Sequence, residues 1–314
     1  MEFGIQIEPQ FGFNFDDVLG IANVAVEFGF STLWFSDHFM LNADATKEVL
    51  LDPWLLMTAL VRENKKIKVG SLVFCNNYRS PALHAKMGAT LDHLSEGRFE
   101  FGIGAGWKKL EYAAYGYEYP KDMTRIGQLA EAIQIIRGIW TTEKFTFKGT
   151  HYQTNELVSF PKPMQKPYPP IWVGTMYGRD HMLRLIAEHG DGINVAWSFS
   201  PEACIDIFQR LDTHCKELGR DPTEIRRSVG FWTRFFETDD EMETAILETA
   251  KKRGIPEEKY RERVGNSLWG TSEIFIERLK AYQKLDVSHA ILMLPHGKEL
   301  QQLKLIGDRV LGYL

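Results

Sequence analysis

The sequence predicts an α/β protein built as a (β/α)8 TIM barrel with insertions, and three observations carry that prediction. Short runs rich in β-branched and aromatic residues alternate with amphipathic helical stretches along the 314-residue chain, the pattern of βα units around a parallel sheet. The runs number eight, at about 3–8, 31–36, 67–74, 98–104, 170–174, 191–195, 225–232 and 287–293, which is the count that closes a barrel. No GxGxxG follows the first run, so the competing open sheet lacks its phosphate-binding signature. Residues 1–314 are expected to form one barrel domain.

The intervening helices announce themselves by spacing and caps. Asn14, three residues before Asp17, is placed to cap a first helix that Gly29 closes. Ser80-Pro81 opens a helix with Leu83, Met87, Leu91 and Leu94 on one face. Ile126, Leu129, Ile133, Ile136 and Trp140 form the next such stripe. Ser200-Pro201 opens another, whose Ile205, Phe208, Leu211, Cys215 and Leu218 run up to a terminating Gly219.

Two segments break the rhythm and read as insertions. Residues 141–170 hold five prolines (Pro161, Pro163, Pro167, Pro169 and Pro170), too many for a helix, in a stretch too long for an ordinary αβ loop. This segment is expected to pack over the barrel. Residues 238–270 are charged and helical in pattern, between the seventh strand and the last βα unit.

Composition excludes several classes. Thirty-seven basic and 42 acidic residues give a net charge of −5 with no long block of either sign, so nucleic acid and anionic membranes are not expected partners. The N-terminus lacks a basic and apolar leader, and no stretch approaches the ~18 apolar residues that span a bilayer. A cytoplasmic protein is expected. Cys75, Cys204 and Cys215 are odd in number and lack CxxC spacing, which suggests reduced thiols. His84, His93, His181 and His189 share no short ligand spacing, so no metal is proposed.

In such a barrel, chemistry belongs at the C-terminal ends of the strands. Asp37 and His38 follow the second strand, and an imidazole beside a carboxylate suits proton transfer, although the same pair can simply close a βα turn. Gly174, Thr175 and Met176, before a helix that begins near Arg179, could offer amides to a phosphate or serve only as a turn. Gly102, Gly104 and Gly106 would let a flat ligand approach the fourth strand or ease barrel packing. Cys75 lies near the mouth but reads as a small apolar residue.

Three segments resemble the bacterial-luciferase-like superfamily: Leu33-Trp34-Phe35-Ser36-Asp37-His38-Phe39, Gly70-Ser71-Leu72-Val73 with Tyr78-Arg79-Ser80-Pro81-Ala82-Leu83, and Leu91-Asp92-His93-Leu94-Ser95-Glu96-Gly97-Arg98 with Gly102-Ile103-Gly104-Ala105-Gly106-Trp107. The segment from Pro161 to Gly174 and Ala187-Glu188-His189-Gly190-Asp191-Gly192-Ile193-Asn194 look like later signatures of that family, so the likeness spans about residues 3–230. It implies a barrel holding FMN or the deazaflavin F420 at its mouth. Asp37 and His38 would lie beside the ring, with His38 as proton donor or acceptor and Asp37 orienting it.

The resemblance further implies that Ser71, Leu72 and Val73 form a bulge with a non-proline cis peptide behind the ring. Gly174, Thr175 and Met176 would hold the phosphate, and Asn76, Gly104, Gly106 and Asn194 would complete the cofactor site. The luciferase branch carries Cys-Arg where this chain has Gly104-Ala105, which favours F420. Trp107 stands where the F420-dependent sugar-phosphate dehydrogenases have a catalytic glutamate, and Leu41-Asn42 where they have a tryptophan, which argues against glucose-6-phosphate. The expected protein is a homodimeric F420-dependent oxidoreductase that moves a hydride between the deazaflavin and a small organic substrate. An FMN-dependent monooxygenase using O2 and a separate reductase, or a non-catalytic barrel, are the alternatives.

Overall fold

The computed structural model describes residues 1–197 and 199–314. Its strands are β1 (Glu2–Ile7), β2 (Thr32–Phe35), β3 (Lys68–Ser71), β4 (Phe74–Cys75), β5 (Phe99–Gly104), β6 (Lys144–Lys148), β7 (Gln153–Val158), β8 (Ile171–Thr175), β9 (Gly192–Val195), β10 (Arg226–Phe235), β11 (Leu268–Gly270) and β12 (Val287–Met293). Its helices are α1 (Phe15–Glu27), α2 (Pro53–Glu63), α3 (Pro81–Leu94), α4 (Lys109–Ala114), α5 (Asp122–Thr141), α6 (Asp180–His189), α7 (Pro201–Glu217), α8 (Asp239–Arg253), α9 (Glu257–Gly265), α10 (Ser272–Gln283) and α11 (Glu299–Arg309).

The strands β1, β2, β3, β5, β8, β9, β10 and β12 pair in that order, all parallel, and β12 returns to β1. The ring is closed, a (β/α)8 barrel. All eight expected strands are present, with two changes of extent. The third is broken at Leu72-Val73 into β3 and β4, and β4 pairs with β5 on its own. The seventh runs on to Phe235 because β11, unforeseen in the sequence, pairs with its end.

The caps form as the spacing predicts. Asn14 and Asp17 exchange side-chain and amide hydrogen bonds of 3.0 Å, a capping box. The hydroxyls of Ser80 and Ser200 each accept an amide bond of 3.3 Å, from Leu83 and Ala203. None of the helices, among the described residues, is long and apolar enough to cross a membrane.

Two tryptophans fill the lower barrel. Trp34 and Trp172 meet edge to face with centroids 6.0 Å apart, and the Trp172 indole donates to Glu100 Oε2 at 2.8 Å. A Cβ added at Gly70 would lie 2.7 Å from Trp34, and one at Gly192 would lie 2.3 Å from Trp172. Glycine is needed there because the indoles occupy the space. With that end filled, a ligand has the opposite end available, where the strands finish.

The 141–170 insertion is a hairpin followed by a proline-rich return. β6 and β7 pair antiparallel, and the alternation of Lys144, Phe145, Thr146, Phe147 and Lys148 that drives it is a half-buried strand pattern. Glu131 of α5 accepts the amides of Thr150, His151 and Tyr152 at 2.7 to 2.9 Å, which fixes the hairpin turn. On the return, Gln165 bonds the buried Asp92 through its amide N–H and side chain at 2.9 and 2.7 Å. That bond joins two of the segments that carry the resemblance. The 238–270 insertion supplies α8, α9 and β11, packed around Ile246, Ala250, Tyr260 and Val264.

Candidate active site

The C-terminal ends of β2, β4 and β5 converge on a polar cluster. Beyond β2, the adjacent Asp37 and His38 side chains engage different partners. Asp37 turns inward and is buried; its Oδ2 accepts from Arg79 Nη1 at 2.7 Å and from the Cys75 amide at 3.0 Å. Arg79 also donates to Asp52 Oδ2 at 2.9 Å. Burial pushes the Asp37 carboxyl above its ordinary value, against the pull of the guanidinium.

His38 meets Glu111 of α4, with 2.9 Å between Nδ1 and Oε2. This corrects the expectation that Asp37 orients the imidazole: Glu111 does so. Glu111 also accepts from the Tyr78 hydroxyl at 2.8 Å, the amides of Phe39 and Met40 at 2.9 and 3.1 Å, and Lys108 Nζ at 3.1 Å. Burial alone would raise its pKa, but the His38 hydrogen bond and charge, with the Tyr78 and Met40 bonds, bring it down to about 2. An ionised Glu111 accepts, so Nδ1 carries the proton and Nε2 is left for a ligand. The Trp107 ring stands edge-on to the imidazole, centroids 5.6 Å apart, and is itself 58% exposed at the rim.

The third strand breaks between Ser71 and Phe74, where the Leu72–Val73 peptide is cis, and Ser71 Oγ donates to Phe35 O at 3.0 Å. The glycines around it serve this bulge. A Cβ on Gly102 would lie 2.0 Å from the Ser71 carbonyl oxygen, one on Gly104 2.7 Å from Val73, and one on Gly174 3.0 Å from Val73. One on Gly106, where φ is +75°, would lie 2.1 Å from the Tyr112 hydroxyl. Gly104 and Gly106 therefore make room for the chain's own side chains, Val73 and Tyr112, rather than for a flat ligand directly.

The remaining expected residues lie around the same mouth. Thr175 Oγ1 accepts from the Gly178 amide at 3.1 Å, closing the turn before α6, while Met176 is 41% exposed. Asn194 is buried with its amide donating to Ser228 Oγ at 2.8 Å, so that donor is spent on β10. Asn76 donates to the Tyr152 hydroxyl at 3.2 Å. Cys75 is buried against Tyr112 and its thiol is pushed up to about 12 by burial, which leaves no thiolate nucleophile.

Three buried acceptors, Gln6 Oε1, Asp37 Oδ1 and Asn76 Oδ1, have no donor among the described residues. They sit near the ends of β1, β2 and β4. Glu8, just beyond β1, is by contrast saturated by Gln6, Gln10 and Ser36. No group of three or more His, Cys, Asp or Glu side chains among the described residues is arranged to hold a metal ion.

The sequence model of the luciferase-like monooxygenases matches residues 1–289. The chain belongs to the luciferase-like monooxygenase family. Among luciferase-like relatives, an F420-dependent glucose-6-phosphate dehydrogenase of Amycolatopsis mediterranei is 32% identical over 179 residues, which are 56% of this chain and 52% of the relative. One of the same description from Microbacterium testaceum is 25% identical over 339 aligned positions, covering 100% of this chain and 97% of the relative. A solved luciferase-like barrel, described as an F420-dependent secondary alcohol dehydrogenase in complex with an F420-acetone adduct, superposes with a TM-score of 0.83 at 19% identity, covering 100% of this chain and 99% of that one.

Within this luciferase-like mouth, Asp37, His38, Ser71, Leu72, Val73 and Asn76 come together on one side, and Gly174, Thr175 and Met176 stand at the β8 turn. Glu111 is not among the residues expected from sequence, and Tyr78 stands there only within a motif, with no role. Glu111 lies 73 positions from His38, and its one local signal was a carboxylate in a short helix directly after the glycine-rich end of β5.

Proposed function

We propose that this luciferase-like chain is an F420-dependent oxidoreductase that interconverts a small organic alcohol and its carbonyl compound. The observation that carries the reading is the His38 imidazole held by the buried Glu111 carboxylate at the mouth, with Nε2 left for the reacting group. The F420-dependent descriptions of the two curated relatives and of the solved alcohol dehydrogenase support the choice of cofactor.

The residues present fit such a group. The lone acceptors on Gln6, Asp37 and Asn76 call for N–H donors of the kind a deazaflavin's pyrimidinedione edge carries. Ser71, Leu72 and Val73 would back the ring, and the Thr175 and Met176 turn at the N-terminus of α6 would hold the phosphate. Bound F420 supplies hydride acceptance or donation at its ring.

His38 Nε2 takes the hydroxyl proton when the alcohol is oxidised and returns it when the carbonyl is reduced. Glu111 keeps the proton on Nδ1 and compensates the positive charge that develops on the imidazole. Asp37, tied to Arg79 and the Cys75 amide, holds the His38 backbone in place and is a positioning residue. Trp107 covers the imidazole from the solvent side.

We infer a homodimer that works in the cytoplasm; light scattering of the purified protein checks the dimer, and cell fractionation checks the location. The main test of the oxidoreductase reading is fluorescence titration with F420 and, separately, FMN. Saturable binding of F420 supports it. Binding of neither overturns it, and binding of FMN alone with substrate-dependent O2 uptake replaces it with a monooxygenase.

A further inference from the structure

A cavity of about 410 Å3 lies between the 238–270 insertion and the ends of β10 and β12, with Phe11 from the turn after β1 at its edge. Its size is that of a small-molecule site. In the closed ring, β10 and β12 stand between β9, which pairs with β8, and β1, which pairs with β2, the strand that leads to His38. The cavity therefore opens at the C-terminal ends of its strands, on the same rim as the imidazole and the β8 turn, with none of the residues assigned above to the cofactor in its lining.

Its lining is one-sided in charge. Arg234, Arg253 and Arg263 contribute to it, and no Asp or Glu does among the described residues. None of the three forms an ion pair among the described residues, in a chain whose net charge is −5. The contrast with their neighbour is local: Arg261, on the same helix as Arg263, is paired with both Glu243 at 2.5 Å and Glu257 at 2.9 Å. Carboxylates are thus at hand in this insertion, but they serve Arg261 and leave the cavity arginines uncompensated. Arg234 lies over the faces of Phe236 and Trp269, 4.9 and 5.5 Å from the ring centroids. Those stacks fix the plane of a guanidinium that can bind an oxyanion in bidentate fashion.

We propose, on the basis of the oxidoreductase reading above, that this cavity receives a carboxylate or phosphate group of the substrate. Three like charges gathered around one space repel, and an anion relieves that repulsion. Trp269 and Tyr260 offer the aliphatic or aromatic body of the same molecule an apolar wall. The substrate class is then an anionic hydroxy or oxo compound, its acid group among the arginines and its reacting carbon toward His38. The 238–270 insertion acts as the specificity element.

The same oxyanion chemistry is present in the acidic tail of F420, so the experiment must separate the two sources. Calorimetric titration of the cofactor-free protein with phenyl phosphate, benzoate and uncharged benzyl alcohol is carried out on the wild type, on Arg234→Gln and on an Arg253→Gln/Arg263→Gln double variant. The last two positions are exposed, so folding is preserved. F420 affinity is measured on the same proteins by fluorescence. The expected result is binding of both anions, at least tenfold weaker binding of benzyl alcohol, and at least tenfold loss of anion affinity in the variants with F420 affinity changed less than twofold.

Equal binding of neutral and anionic probes, no binding of either anion, or anion affinity unaffected by the substitutions overturns the proposal. So does a parallel loss of F420 affinity, which assigns the arginines to the cofactor tail. Failure of the wild type to bind F420 while the anion results hold removes the oxidoreductase reading and leaves an anion site.

Discussion

Oε2 of Glu111 lies 2.9 Å from Nδ1 of His38, and the same carboxylate holds the amides of the two residues that follow the histidine, Phe39 and Met40. One side chain on α4 thus sets both the tautomer of the imidazole and the path of the loop that carries it. Glu111→Gln keeps the shape but removes the charge. It is expected to lower kcat by about 10- to 100-fold with F420 affinity little changed, in line with losses at residues that orient a catalytic or metal-bound histidine. Nitrogen-15 NMR of the wild-type imidazole checks the premise: a protonated Nδ1 and a bare Nε2 are expected in the neutral ring.

His38→Ala is expected to reduce turnover by ~10²–10⁴-fold, the usual contribution of a general acid or base. F420 dissociation constants within a few-fold of the wild type, measured alongside, separate proton transfer from a ring-contact role. A variant that turns over normally but binds F420 poorly would make His38 a binding residue.

Legibility of the sequence was uneven for physical reasons. Strand positions and helix caps depend on neighbours within a few residues, so Asn14 with Asp17 and Ser80 with Leu83 could be read directly. Asp37 and His38 are adjacent in sequence, yet the partners that orient them, Arg79 and Glu111, lie 42 and 73 positions away, beyond the reach of local pattern. Glu111, Tyr78 and Arg79 act across the fold. The β6–β7 hairpin carried its alternation openly at Lys144–Lys148, but the prolines after it dominated the reading of the whole segment. β11 is three residues long and exists because the end of β10 offers it an edge.

Gly102→Ala tests the bulge. The added methyl would meet the Ser71 carbonyl oxygen at 2.0 Å, and that backbone atom can move only by shifting β3 against β5. A stability loss of about 1–3 kcal/mol, typical of overpacking, is expected in thermal or urea denaturation. F420 affinity should fall with it, because Val73 would be displaced from the mouth.

His84 governs part of the acid response. It is buried among Trp54, Phe74 and Phe101, and burial, aided by the Arg79 charge, lowers its pKa to about 3. The unfolded chain therefore binds this proton more readily, from near pH 6.5 downward. The stabilisation is complete above about 6.5 and is lost as pH falls toward about 3, at ~1.4 kcal/mol per unit at most. Urea midpoints of wild type and His84→Leu between pH 7 and pH 4 check the sign: the variant should gain relative to the wild type as the solution is acidified.

The most direct measurement is a crystal structure of the protein with F420 bound. The account predicts the deazaflavin ring resting on Val73 with His38 Nε2 facing the substrate side, and the phosphate at the Thr175–Met176 turn. A ring bound elsewhere, or a phosphate seated away from that turn, would contradict it.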